Sequence, residues 1–214
     1  MINLKKILFT LLFSCLALFC LPISVSADTT GDLTVKFNEL QFTVEDYNVP
    51  NPEVIYSKSG VTEVATVIDR DTGKVVETIE LIPDLSRSTI TSHTLIRSAT
   101  FARTTLQLSV NIELYNNGSF RQINSVKGYY LGITNFIANT FIEGKNVNVW
   151  SPNGYPTTSI KYAYNGTLTA VIDSNASGQI KAELLGAGFN FGGSFGGKTY
   201  YRVPFNQNGT ISLY

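Results

Sequence analysis

Residues 106–114 read LQLSVNIEL. Leu106, Leu108, Val110, Ile112 and Leu114 alternate without exception with Gln107, Ser109, Asn111 and Glu113. A period of two sets alternate side chains on opposite faces of an extended chain. Nine residues at ~3.4 Å each make a strand of ~30 Å with one buried face. Asn116-Asn117-Gly118 follows, and Asn-Gly accepts the positive φ of a tight hairpin turn. The return arm runs through Ser119–Ile133, where a slip in periodicity between Phe120 and Ile123 predicts a bulge.

The same pattern recurs on both sides. Val61–Asp69 and Lys74–Leu81 flank Asp71-Thr72-Gly73 as a second hairpin. Asn146–Trp150, Thr158–Asp173 and Gln179–Asn190 read as further strands, with Asn153-Gly154 and Asn175–Gly178 between them. Tyr200–Phe205 and Thr210–Tyr214 close the chain around Asn208-Gly209. Short strands at this spacing predict one all-β domain, an antiparallel sandwich or barrel. Gly132–Glu143 is the segment with room for a short helix. Four Asn-x-Ser/Thr sequences occur, at Asn117, Asn165, Asn175 and Asn208. Three of them are Asn-Gly, and turn chemistry accounts for them better than glycans do.

The N-terminus predicts export. Lys5 and Lys6 precede the apolar run Ile7–Leu21, and Val25-Ser26-Ala27 supplies a small-residue cleavage site before Asp28. That is the architecture of a secretory signal peptide over residues 1–27, with a single domain over 28–214. Cys15 and Cys20 leave with it, so the 187-residue product has no thiol and no disulfide. A secreted eukaryotic domain of this size usually carries disulfides, which points instead to a Gram-positive bacterium. Without Lys5 and Lys6 the product has 14 Lys and Arg against 16 Asp and Glu. That balance gives no reason to expect nucleic acid as a partner.

Several phrases resemble small secreted β-proteins of Gram-positive bacteria. They are Leu114–Arg121, Pro156–Ile160, and the Gly/Phe stretch running into Tyr200-Tyr201. The resemblance implies compartment and fold over roughly the C-terminal half and carries no catalytic residue over.

Residues 185–197 read LGAGFNFGGSFGG, and Gly192-Gly193-Ser194-Phe195-Gly196 matches the Gly-x-Ser-x-Gly elbow. An α/β-hydrolase needs an acid and a histidine after that serine, and no Asp, Glu or His follows Ser194. The order histidine, acid, serine stays open through His93. No helix former follows Gly186-Ala187-Gly188, which removes a phosphate cradle. As a strand, the stretch puts Leu185, Ala187, Phe189 and Phe191 on one face and small residues on the other. Such a strand packs closely against a core, or contacts a membrane through Phe189, Phe191 and Phe195. Asp71-Thr72-Gly73 reads as a turn rather than an aspartic-protease motif, because Arg70 and Lys74 keep the acid ionised. Asp69, Asp71 and Glu80 lack the glycine placement and helices of a calcium loop. No cofactor or metal is expected.

Two features suggest binding. Arg87, Arg97 and Arg103, with His93, lie in a stretch free of acids, and half of Ser86–Thr105 is Ser or Thr. An exposed strip of that kind contacts an anionic polymer. Trp150 and Tyr155 bracket a Pro/Asn/Gly loop and would form a platform for a sugar or partner if exposed. The first expectation is therefore a secreted, non-enzymatic β-domain that binds a cell-envelope or extracellular partner. A membrane-active, pore-forming or bacteriocin-like β-protein is the second, and a serine hydrolase acting through Ser194 the third.

Overall fold

The computed structural model describes residues 24–26, 31–84 and 88–213. Most of the predicted signal peptide, with both cysteines, lies outside that range, as does Arg87. The fold is all-β, with two antiparallel sheets face to face and no closed barrel. The first sheet holds β1 (Ser24–Ser26), β4 (Pro52–Ser59), β5 (Thr62–Asp69), β6 (Lys74–Ile82), β7 (Ile90–Phe101), β8 (Thr104–Asn117) and β9 (Phe120–Asn135), in that order. The second is ordered β10 (Asn139–Trp150), β11 (Ser159–Asp173), β13 (Lys198–Ser212), β3 (Gln41–Val44), β2 (Leu33–Lys36). β12 (Asn190–Phe195) also pairs with β13, and α1 (Gly178–Gly186) precedes it. Cleavage after Ala27 would remove β1 and leave β4 as the sheet edge.

The decisive alternation of β8 is realised in full. Leu106, Leu108, Val110, Ile112 and Leu114 are buried and their intervening residues are half-buried on the other face. One core joins that face to Phe42, Tyr162, Tyr164, Leu168 and Ile211 from the second sheet. Asn117-Gly118 turns the chain as expected, with Gly118 at φ 64°. Phe120–Ile123 pair regularly, so the predicted bulge is not there. Register shifts beyond it leave Asn124, Lys127 and Thr134 of β9 without opposite residues. Each extra residue adds local twist.

Three expectations are corrected. Gly132–Glu143 is not helical: it is the end of β9, a short crossing, and the start of β10 in the other sheet. Gln179–Asn190 is not a strand. Gly178–Gly186 forms α1, capped by the Ser177 hydroxyl, which accepts from Ile180 N. Lys, Ala, Glu and two Leu favour a helix here, and only Leu184 of its residues is fully buried. The strand reading of 185–197 therefore fails at its start, and β12 begins at Asn190.

Asn165-Gly166 and Asn208-Gly209, read as turns, lie inside β11 and β13, which pair without a register shift from Ser159↔Ser212 to Asp173↔Lys198. Strand pairing on both sides overrides local turn propensity. Gly209 stands opposite Tyr162, whose ring stacks on Phe42 at 4.9 Å and whose hydroxyl donates to Thr43 O at 3.0 Å. A methyl group at Gly209 would overlap the Thr43 carbonyl and the Tyr162 ring. Gly166 is less confined, since a methyl there would meet the ends of the Ile142 and Phe205 side chains at 3.0 Å. Gly209→Ala is expected to cost about 3 kcal/mol, the upper end of overpacking penalties, and Gly166→Ala clearly less. Urea unfolding of the two variants checks the order; equal losses would show that the Tyr162 seat is not the tighter constraint.

Candidate functional site

Strand β7 buries His93, Leu95, Arg97 and Ala99 on its inward face. Glu77 shares the inward face of β6 with Ile79 and Leu81. Ile79 pairs with Arg97 and Glu77 with Ala99, so the acid and the arginine are diagonal neighbours between the sheets. Arg97 Nη2 and Nε donate to Glu77 Oε2 at 2.6 and 3.2 Å, and Nη1 donates to the Tyr164 hydroxyl from the second sheet. Both charged side chains are 1% exposed. Burial alone would lower the Arg97 pKa, but the adjacent Glu77 carboxylate more than offsets it, so the guanidinium stays charged. Burial raises the Tyr164 phenol, partly countered by Arg97.

This cluster floors a cavity of about 460 Å³. Along one edge β13 pairs with β12 through residues 198–202 and with β3 through 209–212, leaving 203–208 without a strand on that side among the described residues. Pro204, which has no N–H to offer, sits in the gap. The segment after β3 folds back over the opening: Glu45 N donates to Asn208 O at 3.1 Å and Gln207 Nε2 to Glu45 O at 3.1 Å. Phe101 and Phe205 wall the cavity, their rings 6.3 Å apart. Two residues that line this region each have a buried polar atom without a partner among the described residues, Glu77 Oε1 and the Tyr47 hydroxyl. Burial, and then the Glu77 charge, pushes the Tyr47 phenol well up, so it stays protonated.

The outward face of the second sheet is a different surface. In register across β10, β11 and β13 stand Asn146, Asn165 and Asn206, all exposed. One row along are Asn148, Ala163 and Asn208, and then Trp150, Lys161, Thr210 and Thr43. In the other direction lie Phe141, Thr169 and Arg202, where Arg202 Nε donates to Glu143 Oε2 at 3.0 Å. From the Trp150 row to the Phe141 row is ~27 Å of strand. Local turn chemistry hid this ladder in the sequence, since Asn-Gly reads as a hairpin until strand pairing is known.

The predicted binding residues are dispersed. Trp150 is half-buried on this outward face, and Tyr155 is 42% exposed in the loop beyond it, before a cis Pro156. Arg97 is inside the core, because β7 alternation points it inward with Leu95 and Ala99. His93 points the same way, so neither contributes to a basic surface strip. Arg103 is exposed in the β7–β8 turn and pairs with Glu183 of α1 at 3.0 Å. Phe189 is buried in the core, whereas Phe191 and Phe195 are 63% and 82% exposed. A three-phenylalanine surface therefore does not form, and the six residues of β12 are fewer than the ~9–11 of a spanning strand.

Ser194 shares a 3.0 Å hydrogen bond with the Thr199 hydroxyl in the second sheet, while His93 belongs to the first. Asp69 makes the turn before β6: its carboxylate accepts from Asp71 N and the Thr72 hydroxyl at 2.9 and 2.8 Å. Among the described residues no group of acids and histidines is arranged to hold a metal.

The His93 ring is 2% exposed, with Nε2 at 2.9 Å from the Thr91 hydroxyl and 3.4 Å from Glu39 Oε2. Its Nδ1 is buried without a partner among the described residues. Burial lowers its pKa below the ordinary value of 6.5, although Glu39 and Asp84 pull the other way. No protein-family model, curated protein or solved structure matches the chain.

Two outcomes follow from these buried charges. Arg97→Ala or Glu77→Ala, each stranding one charge, should lose ~3–5 kcal/mol in chemical denaturation, whereas Arg97→Met combined with Glu77→Leu should recover most of it. A double variant no more stable than the singles would contradict a paired burial. Because the folded His93 pKa is depressed, the unfolded chain takes up the proton first. Its contribution is therefore complete above about pH 6.5 and declines as pH falls through the depressed folded value. Thermal melts from about pH 7.5 to 5.5 should fall more steeply for the wild type than for His93→Gln. Parallel profiles would place the pH response elsewhere.

Proposed function

We propose that this protein is an exported binding domain that holds a neutral, hydroxyl-rich glycan of the cell envelope or its surroundings on the outward face of the second sheet. Export rests on the Lys5–Ala27 leader pattern. The binding face rests on one observation: the exposed Asn146, Asn165 and Asn206 stand in register across three strands, with Asn148, Asn208 and Trp150 in the next rows. The exposed carboxamides of Asn146, Asn165 and Asn206 each offer two donors and an acceptor, the complement of vicinal sugar hydroxyls, while Asn208 already donates to Glu45 Oε2. An indole supplies an apolar plane with a polar handle for the C–H face of a sugar ring. The charges bordering the rows are Lys161 and the paired Arg202 and Glu143. Uncharged rows of this kind favour a neutral chain over a polyanion.

Sedimentation of the purified protein with isolated Gram-positive cell walls and with purified neutral and anionic polysaccharides tests the reading. Saturable, salt-insensitive binding to a neutral glycan is expected. Trp150→Ala should weaken it about tenfold or more, as aromatic anchors do. Asn165→Ala and Asn206→Ala should each weaken it several-fold through lost hydrogen bonds. Retention on anionic polymers alone, abolished by salt, would overturn the proposal.

A further inference from the structure

The interlayer cavity is a second site, bordered at its rim by Asn206 and Asn208 of the asparagine face, and its chemistry selects a different ligand. We propose that it binds a compact organic ammonium compound, a primary amine carried on a hydroxyl-bearing skeleton. Three features support this class.

The first is the unspent acceptor. Glu77 is buried, and its Oε2 takes both hydrogen bonds from Arg97 while Oε1 takes none among the described residues. A buried carboxylate oxygen without a donor is destabilising, and an ammonium N–H in the cavity would supply the bond. The Tyr47 hydroxyl, also buried and unpartnered, offers a second polar contact in the same space.

The second is the sign of the charge. Arg97 is already engaged by Glu77 and Tyr164 on Nε, Nη1 and Nη2. Glu45 and Asp46 add two more carboxylates to the lining. An anion entering here would meet the free oxygen of Glu77 and both of these acids. A cation is attracted by all three, of which Glu77 is buried, Glu45 is half-buried and accepts from Asn208 Nδ2, and Asp46 is exposed at the rim.

The third is size and composition. A cavity of about 460 Å³ falls in the range of small-molecule sites. Gln207 and Asn208 border it beside the rings of Phe101 and Phe205, which matches a ligand with hydroxyls and a short hydrocarbon frame rather than a bare metal ion. The opening exists because β13 has no strand partner between its β12 and β3 pairings, so the site is a product of topology.

The test is calorimetric and NMR titration of the purified protein with ethanolamine, 1,4-diaminobutane and glucosamine, each beside its neutral counterpart: ethylene glycol, 1,4-butanediol and glucose. The amines should bind saturably and the neutral compounds at least tenfold more weakly. Tyr47→Phe and Asp46→Asn, which keep the hydrogen bonds of the Arg97–Glu77 pair in place, should each reduce amine affinity several-fold. Glu77→Gln should abolish the preference for amines if it folds, and the other two variants decide the matter if it does not. Trp150→Ala should leave amine binding unchanged, which separates this site from the glycan face. Equal binding of amines and neutral counterparts, no binding at millimolar concentration, or indifference to Tyr47→Phe and Asp46→Asn would each overturn the proposal.

Discussion

A guanidinium locked between two sheets is the constraint around which this molecule is arranged. Arg97 leaves the first sheet, is held by Glu77 from the adjacent strand, and reaches Tyr164 on the second. Desolvating two charges is expensive, and the interior tolerates it only when geometry and hydrogen bonding are well satisfied. That requirement fixes the spacing and relative placement of β6, β7 and β11 more tightly than apolar packing alone, which accepts many arrangements of similar volume. The aromatic stack running from Phe42 through Tyr162 to Tyr164 continues the same contact along the second sheet.

Around that pin, the second sheet is unequal along its length. At one end β13 is flanked by β11 and β3, at the other by β11 and β12, and between them it is flanked on one side only. Complete pairing would have sealed the interior above Glu77. The gap instead leaves polar groups at the floor of an opening, with the chain after β3 draped across it. A continuous outer face and an interrupted inner edge thus coexist in one sheet: a long face with two amide-bearing rows and a compact recess bordered by Glu45, Asp46 and Glu77.

Much of the architecture was legible because burial in a two-layer β fold leaves a period of two. Strand β8 and the turns at Asp71-Thr72-Gly73 and Asn117-Gly118 follow from that period and from turn chemistry. Where the reading failed, local and tertiary preferences diverged. Asn-Gly at 165 and 208 has the propensity of a turn, yet both pairs are held in strands by neighbours far away in sequence. Gln179–Asn190 reads as a strand, although Ser177 and the run of Lys, Ala, Glu and Leu carry helix signals; one buried residue among the nine of α1 leaves no apolar stripe to reveal it.

Sequence by itself determined the class of fold, the phase of β8, the confinement of both cysteines to the first 20 residues, and the absence of an α/β-hydrolase motif order. Those properties depend on residue identity and on spacing within a few positions. Tertiary structure alone decided that Arg97 is interior rather than a surface contact, that Phe189 is core while Phe191 and Phe195 are exposed, and that five asparagines line up on one face. Each of these depends on register between strands many tens of residues apart, and a one-residue slip in register would carry every side chain to the opposite face.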